Sequence, residues 1–269
     1  MTGDYTGRTG STFTLAGMKA LMREPSDALE RCALTYLARR PIDLAKARAQ
    51  HAAYLSALRV LGVEVRLLGA EPDLPDAVFV EDTAVVVDEC AVITRPGLDS
   101  RRGEIDSVAA ALEPFRPIVR VTPPGTLEGG DVLRVGRTLL VGQTPRTNAE
   151  GTRQLSAYLQ PHGYDVVAVT PTGCLHLKSA VTFIGDETVL VNPDWIDLGL
   201  FTRWQCVPVA PEEPYGANAL LVGETVFTAA SAPLTRRKLD ALGFHTEVLD
   251  TSEFEKAEAA LTCLSLLFV

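Results

Sequence analysis

The sequence predicts an α/β protein built from one small unit used five times, closed into a ring with the two chain ends paired in one unit. Two observations carry this. A hairpin pattern of apolar run, tight polar turn and second apolar run recurs four times along the 269 residues. A helix-to-strand pattern also recurs four times, and three of its helices break at a glycine before a β-rich run. A ring removes the exposed edge strands that an open sheet would have to protect.

The elements follow in order. "MTGDYTGRTGSTFT" is polar and lacks the apolar stretch of a signal peptide, so residues 1–12 are expected to be a mobile tail and 13–269 a single domain. "FTLAGMKALMREPSD" (13–27) reads as a second hairpin arm that lacks a first. "HAAYLSALRVLGVEVRLL" (51–68) is a helix broken at Gly62 and followed by a strand. Next come the hairpin "TAVVVDECAVITRPG" (83–97) and the helix and strand of "EIDSVAAALEPFRPIVRV" (104–121). The hairpin "DVLRVGRTLLVGQTPR" (131–146) precedes "TRQLSAYLQPHGYDVVAV" (152–169), which breaks at Gly163. "AVTFIGDETVLVNP" (180–193) is a third hairpin, and 192–216 carries no assignable motif. "ALLVGETVFTAASAP" (219–233) leads into "TRRKLDALGFHTEVL" (235–249), broken at Gly243. "LTCLSLLFV" (261–269) is a first arm without a turn, the complement of the unpaired arm near the other end.

Composition bounds the function. Hydrophobic residues make up 46% and charged residues 22%, which supports a sizeable core. A net charge of −9 argues against nucleic acid and anionic membranes and mildly favours a cationic ligand. No segment has the length and apolarity of a membrane span. The five cysteines, at 32, 90, 174, 206 and 263, form no CxxC pair and are odd in number, which fits free thiols in a reducing cytoplasm rather than a disulfide framework or zinc site.

Polar residues precede each first arm: Glu81 and Asp82 in "FVED", Glu128 and Asp131 in "LEGGD", His176 and Ser179 in "LHLKS", Asn218 in "YGAN" and Cys263 in "LTC". Taken singly, each has an ordinary reading. Cys in an apolar run is core, His beside Leu is structural, and "GG" is a tight turn or bulge. Units related by rotation would bring all of them to one end of the ring axis. A thiol titrating near about 8.5 needs a neighbouring cation, either His176 or the substrate, to ionise at neutral pH. Carboxylates bind forked N–H donors in bidentate fashion. His can protonate an amine leaving group and then deprotonate water. Together these types suggest covalent catalysis on a guanidinium carbon.

"LPDAVFVEDTAVV", "AVITRPG", "SRRGE", "TLEGGDVL", "PRTN", "LHLKS" and "LTC.S" occur in an order, from about residue 20 onward, that resembles the dimethylarginine dimethylaminohydrolases. These belong to the pentein, or guanidino-group-modifying, superfamily of five-unit α/β propellers. The resemblance implies hydrolysis of Nω-methylated arginines to citrulline and methylamines without metal or cofactor. It implies Cys263 as nucleophile, His176 as general acid/base, and Glu128 as the carboxylate that orients His176 and contacts the guanidinium. Asp82 would grip the guanidinium nitrogens with Glu81 beside it, and Arg95 and Arg146 would hold the α-carboxylate. Asp76, with the main-chain carbonyls of Leu34 and Ala257, would receive the α-amine.

Three rivals stand beside this reading. Arginine deiminases and amidinotransferases of the same superfamily use the same groups, but are longer and carry helical insertions. A non-enzymatic propeller that binds a partner, like the ribosome anti-association factor of this fold, would not need Cys263 together with His176. A plain α/β domain would keep Cys263 as core.

Overall fold

A computed structural model describes residues 15–269; the tail expected over 1–12 lies outside the described residues. In chain order, β1 (Lys19–Arg23) leads through helix α1 (Leu44–Val60) to β2 (Glu64–Leu68). β3 (Ala84–Val86) and β4 (Ala91–Ile93) form a hairpin followed by α2 (Ile105–Leu112) and β5 (Ile118–Arg120). β6 (Val132–Val135), β7 (Thr138–Gly142), α3 (Ala149–Leu159) and β8 (Asp165–Val169) repeat the arrangement. The one-turn helix α4 (Leu177–Ala180) introduces β9 (Val181–Gly185), β10 (Thr188–Val191) and β11 (Gln205–Pro208). β12 (Leu220–Val222), β13 (Thr225–Ala229), α5 (Pro233–Ala241) and β14 (His245–Leu249) follow, then α6 (Ser252–Glu255) and β15 (Leu266–Phe268).

Among the described residues the strands form five three-stranded sheets: β15-β1-β2, β3-β4-β5, β6-β7-β8, β9-β10-β11 and β12-β13-β14. In each, the first two strands are antiparallel and the third runs parallel to the middle one. β15 lies antiparallel to β1, with Leu266 opposite Leu21 and Phe268 opposite Lys19. A parallel third strand needs a crossover, which is why a helix precedes it in four of the five sheets. The exception is the motif-free stretch 192–216. There a single 3-10 turn, Leu198–Phe201, carries the chain to β11, so no helical periodicity was present to be read.

Local chemistry sets the boundaries. The Asp43 side chain accepts the Lys46 N–H and starts α1, and Gly62, at φ +87°, lets the chain leave that helix toward β2. Apolar side chains fill the spaces between sheets and helices. The largest of these clusters joins Tyr54 and Leu58 of α1 to Met22, Phe254, Cys263 and Leu264. Among the described residues no helix is long and apolar enough to cross a membrane.

A tight turn precedes every first arm: Val80–Thr83 before β3, Gly129–Asp131 before β6, Leu177–Ala180 before β9, Pro214–Ala217 before β12 and Thr262–Leu264 before β15. Cys263 therefore sits in a 3-10 turn and not in the strand itself.

Candidate active site

These turns present polar side chains to a narrow cleft. Asp76, Asp82, Arg101, Arg146, His176, Ala257 and Cys263 line it. Cys263 stands in the middle of its turn, its N–H on the Ala260 carbonyl at 3.3 Å. His176 is the residue before α4. The Leu177 N–H behind it donates to Asp131 Oδ1 at 2.9 Å, and Asp131 Oδ2 accepts the Thr144 hydroxyl at 2.7 Å. One carboxylate thus ties the "LEGGD" turn to the histidine turn of the next unit.

The imidazole is fixed from three sides. Its Nε2 bonds Glu128 Oε2 at 2.7 Å and lies 4.0 Å from Asp82 Oδ1. Its ring packs on Gly130, where a Cβ would come within 2.7 Å of Nδ1 and 2.8 Å of Asp82 Oδ1. The Gly130 N–H donates to that same Oδ1 at 2.9 Å. The "GG" pair lies in a tight turn, as expected. Its second glycine lets His176 and Asp82 reach the backbone.

Arg101 is the counter-charge. Its Nη1 lies 2.7 Å from Asp82 Oδ2 and 3.7 Å from Glu128 Oε2. Its Nε and Nη2 form a bidentate pair with Glu104 at 3.1 and 2.9 Å. Burial would push Asp82 up, but the charges of His176 and Arg101 overcome it and hold the carboxyl well below the usual range. Glu128 is held low in the same way: burial opposes, and the His176 hydrogen bond and Arg101 prevail. Burial pulls His176 down, yet Asp82, Asp131 and Glu128 outweigh it and raise the imidazolium to about 9. The histidine is thus a loaded acid at neutral pH. The Cys263 thiol is pushed far above its ordinary value, first by burial and then by the charges of Glu81 and Asp82. At rest it is a neutral thiol.

The sequence-predicted residues divide. Asp76, Asp82, Arg146, His176, Ala257 and Cys263 meet in the cleft. Glu128 stands fully buried behind His176, its Oε1 accepting the Gly97 N–H at 3.0 Å and lying 3.5 Å from Arg146. Three more of the expected residues do not line the cleft. Arg95 does not line the cleft; it lies two residues past β4, bridged to Leu127, and its Nη1 donates to the Gly125 carbonyl at 3.2 Å. The second arginine at the cleft is Arg101, swung inward by the 3-10 turn Asp99–Glu104. Glu81 faces away from Asp82, because successive residues of a turn point to different sides. It binds Lys178 and the Thr262 hydroxyl (2.7 Å) in the lining of a separate cavity of about 510 Å³. The Leu34 side chain packs on the core, and its neighbour Ala33, whose N–H donates to Asp76 at 3.1 Å, lines the cleft. Arg101 and Glu104 were missed, although "SRRGE" carried a signal: Arg and Glu three apart pair on one face of a helical turn.

Asp82, Glu128 and His176 each place one donor atom within 4.8 Å of the others, a spacing that could hold a metal ion. Arg101 and the imidazolium already supply positive charge at those oxygens, so this donor set suits a charge network better than a divalent cation.

Residues 37–199 match the profile of a family described as eukaryotic N,N dimethylarginine dimethylhydrolase. An N(G),N(G)-dimethylarginine dimethylaminohydrolase of Streptomyces coelicolor is 44% identical over 250 residues, covering 92% of this chain and 96% of that protein. One from Pseudomonas aeruginosa is 38% identical over 228 residues, covering 84% and 90%. The solved structure of a Pseudomonas aeruginosa dimethylarginine dimethylaminohydrolase mutant complexed with citrulline superposes with a TM-score of 0.89 at 36% identity, over 93% of this chain and 98% of that one.

Proposed function

The chain belongs to the dimethylarginine dimethylaminohydrolase family and is an amidine hydrolase that converts Nω-methylated arginine to citrulline and a methylamine, and on that premise we propose how its residues divide the work. The observation that carries the assignment is the meeting of Cys263, His176 and Asp82 in one cleft from three different turns.

Asp82 accepts the guanidinium N–H groups. The arriving cation opposes the charges of Glu81 and Asp82 that disfavour the thiolate, so Cys263 ionises as substrate binds and its proton leaves to solvent. The sulfur attacks the guanidinium carbon and forms a C–S bond. The C–N bond to the methylamine breaks as His176 protonates that nitrogen, leaving an S-alkylthiouronium. Neutral His176 then takes a proton from water, and the resulting hydroxide adds to the same carbon. The C–S bond breaks as the added hydroxyl loses its proton to solvent, giving citrulline and the thiolate. Glu128 holds the imidazole through both transfers. Arg146 and Arg101 take the α-carboxylate, and Asp76 with the Ala257 main-chain carbonyl takes the α-amine.

The same proposal extends to the molecule as a whole. The five equivalent sheets with five equivalent turns support a closed five-unit propeller formed by 13–269 as one catalytic domain, with the β1–β15 sheet as its closing unit. Its five cysteines are free thiols, which supports a cytoplasmic setting. The test is citrulline formation from dimethylarginine, from monomethylarginine and from arginine. Wild type should favour the methylated substrates, and Cys263→Ser should lose turnover while melting within a few degrees of wild type. A dominant arginine activity would move the chain to the deiminase chemistry of its superfamily; full activity in Cys263→Ser would refute the nucleophile.

A further inference from the structure

Asn218 is the polar residue before the first arm β12, and it takes no part in the proposed chemistry. Its buried side-chain amide lies outside the cleft, at the C-terminal end of the Pro214–Ala217 turn. Nδ2 donates to the Lys178 carbonyl at 3.1 Å and to the Thr262 hydroxyl at 3.0 Å. Oδ1 accepts the Thr262 N–H at 3.1 Å. Lys178 lies two residues after His176, in the one-turn helix that His176 precedes, and Thr262 directly precedes Cys263.

A second bridge joins the same two residues through Glu81, whose carboxylate accepts from the Lys178 ammonium and, at 2.7 Å, from the Thr262 hydroxyl. The cysteine turn is held on a further side by Tyr54, whose hydroxyl donates to the Leu261 carbonyl at 3.0 Å and meets Ser265 Oγ at 2.8 Å. Residues 178 and 262 are thus linked once through the main chain of 178 and once through its side chain, by two units that contribute neither nucleophile nor acid.

We propose that Asn218 is a positioning residue that sets the placement of Cys263 relative to His176, with Glu81 as its partner in a double bridge between the two turns. The proposal rests on the roles given above to Cys263 and His176. An amide suits the position because it donates twice and accepts once there, which neither a carboxylate nor a hydroxyl can do. Displacement of reacting groups by about 1 Å costs on the order of 100-fold in rate, so a bridge that touches no substrate can still govern turnover.

Asn218→Ala, and the isosteric Asn218→Asp in case the first fails to fold, would be assayed for kcat and KM with dimethylarginine and for amide hydrogen exchange at Thr262 and Cys263. The expected result is a kcat lowered roughly 10- to 100-fold with KM changed less than about threefold, because the substrate-binding groups are untouched. Exchange at Thr262 should rise about tenfold or more while the strand amides of β1 and β7 keep wild-type protection. A kcat within about twofold of wild type, a loss confined to KM, or unchanged exchange at Thr262 would each overturn the proposal. If wild type itself formed no citrulline, the enzymatic reading would fail on that ground, and exchange at Thr262 would still decide whether Asn218 holds the turn.

Discussion

At the scale of single residues, two neighbours of similar chemistry have unequal roles. Arg95 and Arg101 share the stretch "ITRPGLDSRRGE", yet only Arg101 reaches the cleft and the carboxylates of Asp82 and Glu104. Arg101→Ala leaves Asp82 and Glu104 buried without their partner, a loss on the order of 3–5 kcal/mol in stability for a broken buried pair. It also removes a positive charge that lowers Asp82 and Glu128. The variant should melt well below wild type and lose most kcat/KM for methylarginine. Arg95→Ala gives up one hydrogen bond to a carbonyl, worth about 1 kcal/mol. Thermal melts and steady-state kinetics on the pair check this; equal losses from the two would return the α-carboxylate role to Arg95. The same scale shows why Glu81 and Asp82 differ: adjacent in sequence, they end on opposite sides of one 3-10 turn.

At the scale of elements, the turn before each first arm matters more than the arm. β15 is three residues long, and it holds the Cys263 turn against β1. Leu266 is buried, Leu267 and Phe268 are half-buried, and the Phe268 ring packs at a tilt against Phe115 with centroids 5.5 Å apart. Full burial of a large apolar side chain is worth about 1.5–3 kcal/mol, so this short strand contributes on the order of 4 kcal/mol before its ladder hydrogen bonds are counted. Deletion of Leu266 through Val269 should lower Tm by about 10 °C or more and abolish citrulline formation, because the truncated chain then ends two residues after the thiol. A truncated chain that melts like full length and keeps activity would remove β15 from any role in placing Cys263. The helix-to-strand periodicity made four of the five crossovers legible. β11 was not, since a 3-10 turn of four residues is too short to show a period.

At the scale of the whole molecule, the site is a charge network drawn from separate sheets, and this links its protonation to folding. His176 is raised from 6.5 to about 9 in the folded state. A group so raised contributes stability that is fully present below pH 6.5 and is lost as pH rises through about 9, an effect on the order of 3 kcal/mol for a shift of that size. Asp82 and Glu128 are held low, so their contribution is lost at the acid end, as pH falls through the folded values. The Tm of wild type relative to His176→Gln should therefore be greatest near pH 6 and shrink toward pH 9–10. A difference that stayed constant over that range would show that His176 is not a charged partner of these carboxylates. The sequence by itself determined the repeated hairpin-and-crossover pattern, the α/β class, and the types of residue at the strand mouths, because periodicity and turn chemistry are local properties of the chain. It also determined Cys263, His176, Glu128, Asp82 and Arg146 as the group to examine, since their types and motifs suffice for that. Only the tertiary structure decided which of two adjacent acids, or of two arginines six residues apart, faces the cleft. It alone showed Asn218 and Glu81 spanning residues 178 and 262. Those outcomes depend on the direction a turn gives a side chain and on backbone approaches as close as Gly130 to His176, distances set by the packing of units far apart in sequence.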